Sequence, residues 1–141
     1  MIETIRNELI KLVYDAWKAN PDSTVYPIYF YDVDDNKPSD GLEVWCRVSV
    51  THVTGSQATL SNQDNKRRWR RTGILMIQLF TPIGTGLSLS DKYSKIIVDA
   101  LDGSSTDSCA WVRNVRVNEL GREGTWCQTN IIADFEYDEV K

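Results

Sequence analysis

Residues 65 to 86, NKRRWRRTGILMIQLFTPIGTG, gather five cations around one tryptophan and then run straight into an apolar stretch. In a strand, successive side chains point to opposite faces. On the basic half, Arg67, Trp69 and Arg71 share one face while Lys66, Arg68 and Arg70 share the other. Charge on both faces cannot be buried, so this end must project past the core into water. The other half, Ile74 to Phe80, is apolar apart from Gln78 and reads as core. One strand over about residues 67–81, ended by Pro82 and the glycines at 84 and 86, is therefore half core and half arm.

The rest of the chain supplies what such a strand packs against. Ile2, Ile5, Leu9, Leu12, Val13 and Ala16 recur at helical spacing, with charges opposite, so residues 2 to 18 are predicted to be a helix. The NPD at 20 to 22 stops it, since proline disfavours helix in the residue before it. TVYPIYFY (24–31) is aromatic and β-branched, a short strand whose Pro27 suits a sheet edge. DVDDNKPSDG (32–41) is an acidic turn or loop. In GLEVWCRVSVTHV, Leu42, Val44, Cys46, Val48 and Val50 alternate with Glu43, Arg47, Ser49 and Thr51, which marks a strand. TGSQATLSNQDN (54–65) has neither period and reads as a long exposed loop.

LSLSDKYSKIIVDALDG is a second helix, with Ser90 as N-cap, Gly103 as C-cap and a buried face of Tyr93, Ile96, Ile97, Ala100 and Leu101. Strands over 109–120 and 125–140 flank GREG as a hairpin, and Cys127, Thr129, Ile131, Ala133, Phe135 and Tyr137 share a face. The order α-β-β-β-α-β-β with short turns predicts an α+β fold: a mainly antiparallel sheet of about five strands against two helices. Residues 1–141 are read as a single domain with an exposed loop or hairpin arm at about 54–71.

Composition removes several classes of function. A net charge of −4 on 141 residues does not mark a nucleic-acid binder as a whole, so the basic cluster acts locally against an acidic background. No apolar run approaches bilayer length, and Glu3, Glu8 and Asp15 argue against a targeting peptide, which predicts a cytosolic product with no membrane partner. Cys46, Cys109 and Cys127 are odd in number and contain no C-x-x-C pair, and they read as small hydrophobes rather than ligands or a disulfide.

Candidate sites are few. For Lys66, Arg67, Arg68, Trp69, Arg70 and Arg71 three readings stand side by side: a solvated strand end that discourages aggregation, a surface for an acidic protein neighbour, and a nucleic-acid contact in which Arg holds phosphate and Trp stacks bases. Asp32, Asp34, Asn36, Asp40 and Glu43 fall at EF-hand ligand spacing, but Lys37 occupies the glycine position and the flanks read as strands. An acidic interaction loop centred on Asp32, Asp34 and Asp35 is expected instead. TPIGTG lacks the lysine of a phosphate loop, and no serine sits in G-x-S-x-G. The single histidine, His52, reads as structural. Trp45 and Trp126 fall off the apolar register, where they line either a subunit contact or a second core face. No catalytic residue, cofactor or metal is expected, and the chain is not read as an enzyme.

Gly73, Ile77, Gln78, Phe80, Pro82, Gly84 and Gly86 form a G-x-x-x-I-Q-x-F-x-P strand followed by G-x-G and a helix, and the last strand ends in Trp126, Phe135, Tyr137 and Glu139. Together with the order of parts, these residues resemble the tail terminator, or tail completion, proteins of long-tailed bacteriophages, a phage-related family long treated as of unknown function. The resemblance covers nearly the whole chain. It implies a structural virion protein that caps the tail tube as a ring, commonly a hexamer, stops polymerisation and offers a head-joining surface. The implied partners are further copies of the chain, the major tail tube protein and head connector proteins, with lumen DNA touched, if at all, without sequence specificity. The implied place is the head-proximal end of the tail, assembled in the cytoplasm of a bacterial host. A different connector or neck component, and a small nucleic-acid-binding module using residues 66–71, remain as alternatives.

Overall fold

A computed structural model describes residues 1–20, 27–30, 44–60, 65–84 and 87–141. Its elements are α1 (Ile2–Ala19), β1 (Ile28–Phe30), β2 (Trp45–Gln57), β3 (Arg68–Pro82), α2 (Ser88–Leu101), β4 (Trp111–Glu123) and β5 (Trp126–Val140). The five strands form one sheet in the order β1-β2-β3-β5-β4. Only the short β1–β2 pairing is parallel; the others are antiparallel. This is the α+β architecture expected from the sequence, with β3 at its centre.

Register explains the core. Val48 and Ile131 flank Ile77, and Val50 and Ala133 flank Leu75. Leu75, Ile77, Leu79, Ile131 and Ala133 are fully buried beneath the two helices. From α1 come Ile5, Leu9, Val13 and Trp17, spaced four apart so that they lie along one stripe. Trp17 rests on Tyr93 of α2 at 5.5 Å between ring centres. The stripe thus ends on Trp17 rather than Ala16, and Ile2 stays about half exposed at 48%. On α2 the buried positions are Ser90, Tyr93, Ser94, Ile97 and Leu101.

Four local expectations are corrected. Ser90 is not the N-cap: α2 begins at Ser88 after Leu87, so residue 90 faces the sheet. There its hydroxyl hydrogen-bonds that of Thr129 at 2.9 Å, both groups buried. Ile96 and Ala100 flank the helix interface rather than filling it. The loop read over 54–65 is shorter than expected, because Thr54 to Gln57 pair with Thr72 to Trp69 as strand. They show no apolar period because neither face is covered there. In GREG, β4 continues through Glu123, which pairs with Trp126, and Gly124 with φ 61° opens the two-residue turn.

Gly73 marks the border between core and arm. It pairs with Phe135 on β5 and His52 on β2. A β-carbon at Gly73 would overlap both the Phe135 ring and the Thr51 carbonyl oxygen. The glycine therefore makes room for an aromatic ring lying across the sheet. Gly73→Ala is expected to cost about 1–3 kcal/mol by overpacking, read as a lower urea midpoint at unchanged slope. In a double-mutant cycle, Phe135→Leu is expected to absorb part of that cost; strict additivity would mean the ring is not what the glycine accommodates.

Candidate functional site

Past Gly73 three strands continue: β2 through Gln57, β3 back to Arg68, and β5 out to Val140. The ladder extends one step further, since Arg67 and Lys141 exchange backbone N–H···O=C hydrogen bonds of 2.9 and 3.0 Å. Ala58 N–H donates to the Arg68 carbonyl at 2.7 Å on the other side. The arm is thus a three-stranded ribbon with its basic strand in the middle.

That placement sets the electrostatics. The end of β5 reads DFEYDE, and alternation puts Asp134, Glu136 and Asp138 on one face and Tyr137 and Glu139 on the other. Arg70 forks onto Asp138, with Nε to Oδ1 at 3.1 Å and Nη2 to Oδ2 at 3.4 Å. Arg68 Nε lies 3.8 Å from the same carboxylate. On the opposite face Arg71 Nε lies 3.6 Å from Glu139. The hydrogen bond that Arg70 donates to Asp138, followed by the charge of that carboxylate, raises the Arg70 guanidinium above its ordinary value. From the other side of β5, Arg113 meets Glu136 at 3.1 Å and Arg116 meets Asp134 at 3.4 Å.

Arg68, Arg70 and Arg71 therefore each lie beside a carboxylate of β5. Lys66 is exposed, and Arg67 and Trp69 are half-buried. Sequence reading named the basic residues but missed their carboxylate partners, although the period-two acids of β5 were visible; the pairing of β3 with β5 is what joins them. A shallow notch of about 290 Å³ lies against the arm, lined by Arg68, Arg70, Trp111, Glu136 and Asp138.

At the far end of β3, about 35 Å away by the rise of a strand, lies an aromatic cluster. Trp45 stacks on Phe80 with ring centres 4.0 Å apart and planes within 9°. Trp126 and Tyr29 meet it edge-on at 6.0 and 5.7 Å, and the Arg47 guanidinium lies 5.5 Å from its ring centre. Trp45 is only 2% exposed, so its ring is enclosed within the protomer; Trp126 keeps an accessible edge. The two clusters are separate, and Asp32, Asp34 and Asp35 lie outside the described residues.

His52 and the cysteines complete the inventory. His52 Nε2 is 3.0 Å from the Tyr137 hydroxyl, a structural contact. All three cysteines are free. Cys46 is buried, which pushes its thiol far up from the ordinary range, whereas Cys109 is exposed and Cys127 half-buried. Among the described residues no helix is long and apolar enough to cross a membrane.

No family model and no curated protein sequence matches this chain. Solved structures do. One superposes with a TM-score of 0.70 at 14% identity, covering 100% of this chain and 96% of the other. A second comes from the virion of a native gene transfer agent particle, with a TM-score of 0.58 at 12% identity over 96% of this chain and 98% of that one. At such identities the likeness establishes a shared fold, and it runs through almost the full length of all three chains.

The internal ion pairs lead to a direct test. If Asp138 and Glu139 screen the guanidiniums, Asp138→Asn with Glu139→Gln is expected to retain the protein on heparin to higher salt than the parent. The slope of log affinity for DNA against log salt is expected to steepen by about one to two, at about 0.9 per phosphate contacted. Identical elution and slope would show that the carboxylates leave the arm's affinity for polyanions unaltered.

Proposed function

We propose that this chain is a structural protein of a phage-like virion, and more specifically a tail terminator: a ring, probed first as a hexamer, that caps the tail tube, stops its growth and presents a surface to the head connector. The observation that carries this reading is the full-length likeness of fold to a component of a gene transfer agent virion. The strand–proline–glycine–helix pattern and the aromatic-acidic last strand add to it. On this reading the chain works by docking rather than by transforming a substrate. Its partners are further copies of itself, a tail tube protein and connector proteins, and its place is the head-proximal end of the tail.

The reading assigns separate tasks to the two ends of β3. The arm, stiffened by three strands and cross-linked by ion pairs, is a rigid projection suited to a protein surface. With Asp138 and Glu139 already on its arginines, it is less suited to gripping nucleic acid. Heterologous contacts between copies close into rings when the rotation permits. A connector or neck component would share the same fold requirements, and the test must separate it.

Electron microscopy of the purified protein, alone and mixed with tail tubes, provides that test. Rings with a central hole, or a cap at one end of each tube that halts elongation, are expected for a terminator. Binding to head connectors without any effect on tube length would identify a neck component. Retention of DNA by a monomer would favour the nucleic-acid module. Replacing Arg67, Arg68, Arg70 and Arg71 by Ser is expected to lower tail joining while circular dichroism still reports a folded core, because the arm lies outside it. Loss of the core signal would make these side chains structural.

A further inference from the structure

The border between core and arm is held by one polar contact among rings. His52 lies on β2 immediately before the register shift that separates it from Thr54. Its Nε2 is 3.0 Å from the Tyr137 hydroxyl of β5. Its ring meets Phe135 and Tyr137 edge-on, at 5.2 and 5.8 Å between centres. Phe135 lies across Gly73, so β2, β3 and β5 all converge here. The other imidazole nitrogen, Nδ1, is buried with no hydrogen-bond partner. The charged groups acting on this cluster are Arg6 of α1, Arg71 of β3 and Glu139 of β5. Glu139 is itself beside Arg71.

We propose that the His52–Tyr137 contact is a pH-sensitive clasp: the neutral imidazole fastens β2 onto β5 at the register shift, and protonation releases the arm segment Thr54–Gln57 while the helical core stays closed. A neutral histidine needs only one donor and one acceptor, and the Tyr137 hydroxyl serves either tautomer at Nε2. A protonated ring carries two donors. The Nδ1 proton would then be buried without an acceptor, a penalised arrangement, and the new charge would face two guanidiniums. Burial already pushes His52 below its ordinary value, with Arg6 and Arg71 acting in the same direction. Burial likewise pushes the Tyr137 phenol up, which keeps it an uncharged partner.

The closed clasp binds fewer protons than the open one, whose histidine titrates near about 6.5. Closing is therefore fully favoured above that pH and weakens as pH falls below it, by up to about tenfold in the closing equilibrium per pH unit. Thr54 to Gln57 are the segment to respond, because beyond the shift they are tied to the sheet by β3 alone.

This is the only histidine of the chain, so its ring-proton resonance can be followed without ambiguity. The experiment is a proton NMR titration of the parent protein, with amide hydrogen exchange of the parent and His52→Gln measured side by side at each pH from 7.5 to 5. Comparison at equal pH removes the intrinsic pH dependence of exchange. We expect a His52 midpoint below about 6.5, and arm amides whose parent-to-variant exchange ratio rises by up to about tenfold per unit below that value, while the ratio for α2 amides stays flat. Tyr137→Phe, which keeps the ring and loses the hydroxyl, is expected to speed arm exchange at pH 7.5 as well. A midpoint at or above the ordinary value overturns the clasp. So does a flat arm ratio, or α2 amides that follow the arm, since that is opening of the whole chain. Were His52→Gln not to fold, the titration and the arm-to-α2 exchange ratio within the parent protein would still decide.

Discussion

The structure depends on β3 being paired with β5 along its whole length and with β2 from Trp69 to Phe80. Fifteen residues, Arg68 to Pro82, run between β2 and β5 without a break in the pairing to β5. A strand in that position has no free backbone edge and so tolerates an unusual sequence. Its second half satisfies the hydrophobic effect by filling the layer under α1 and α2. Its first half has no helix above it and is charged on both faces. The same backbone ladder carries both halves, which is how a cluster of like charges is kept in extended, ordered form.

Charge balance in the arm is a consequence of that ladder. Lys66 to Arg71 would repel one another on an isolated ribbon. Pairing with β5 sets Asp138 between Arg68 and Arg70, and Glu139 beside Arg71. Each pair is at least partly exposed to water, where such contacts contribute about 0–1 kcal/mol. They fix orientation more than they add stability. The result is a projection in which Arg68, Arg70 and Arg71 each lie beside a carboxylate of β5.

How legible this was in the sequence differs by residue. The stripe Ile5, Leu9, Val13 could be read from spacing alone, as could the shared face of Ile131, Ala133, Phe135 and Tyr137, because helix and strand periods fix which side chains point together. Trp17 was missed as the end of the stripe since it falls next to the helix stop. Thr54 to Gln57 carry no strand signal in the sequence because a strand wet on both faces shows no apolar alternation. Ser90 looked like a cap by residue type, yet its actual partner is Thr129, 39 positions away, and no local rule contains that contact. The basic cluster was legible as a feature, but its neutralisation was not. Trp45 could be placed off the main apolar face, while its enclosure by Phe80, Trp126 and Tyr29 could not.

By itself the sequence determined the class of fold, the order of its elements, and the necessity that one strand be core at one end and arm at the other. Those follow from periodicity and from the cost of burying charge, which are local properties of a chain. Only the tertiary structure decided who meets whom: β5 rather than β4 beside β3, Asp138 under Arg70, Tyr137 against His52, and a ring in the space Gly73 leaves. Register across strands is set by the packing of the whole sheet at once, so residues about 60 to 85 positions apart become neighbours through a constraint that no window of sequence contains.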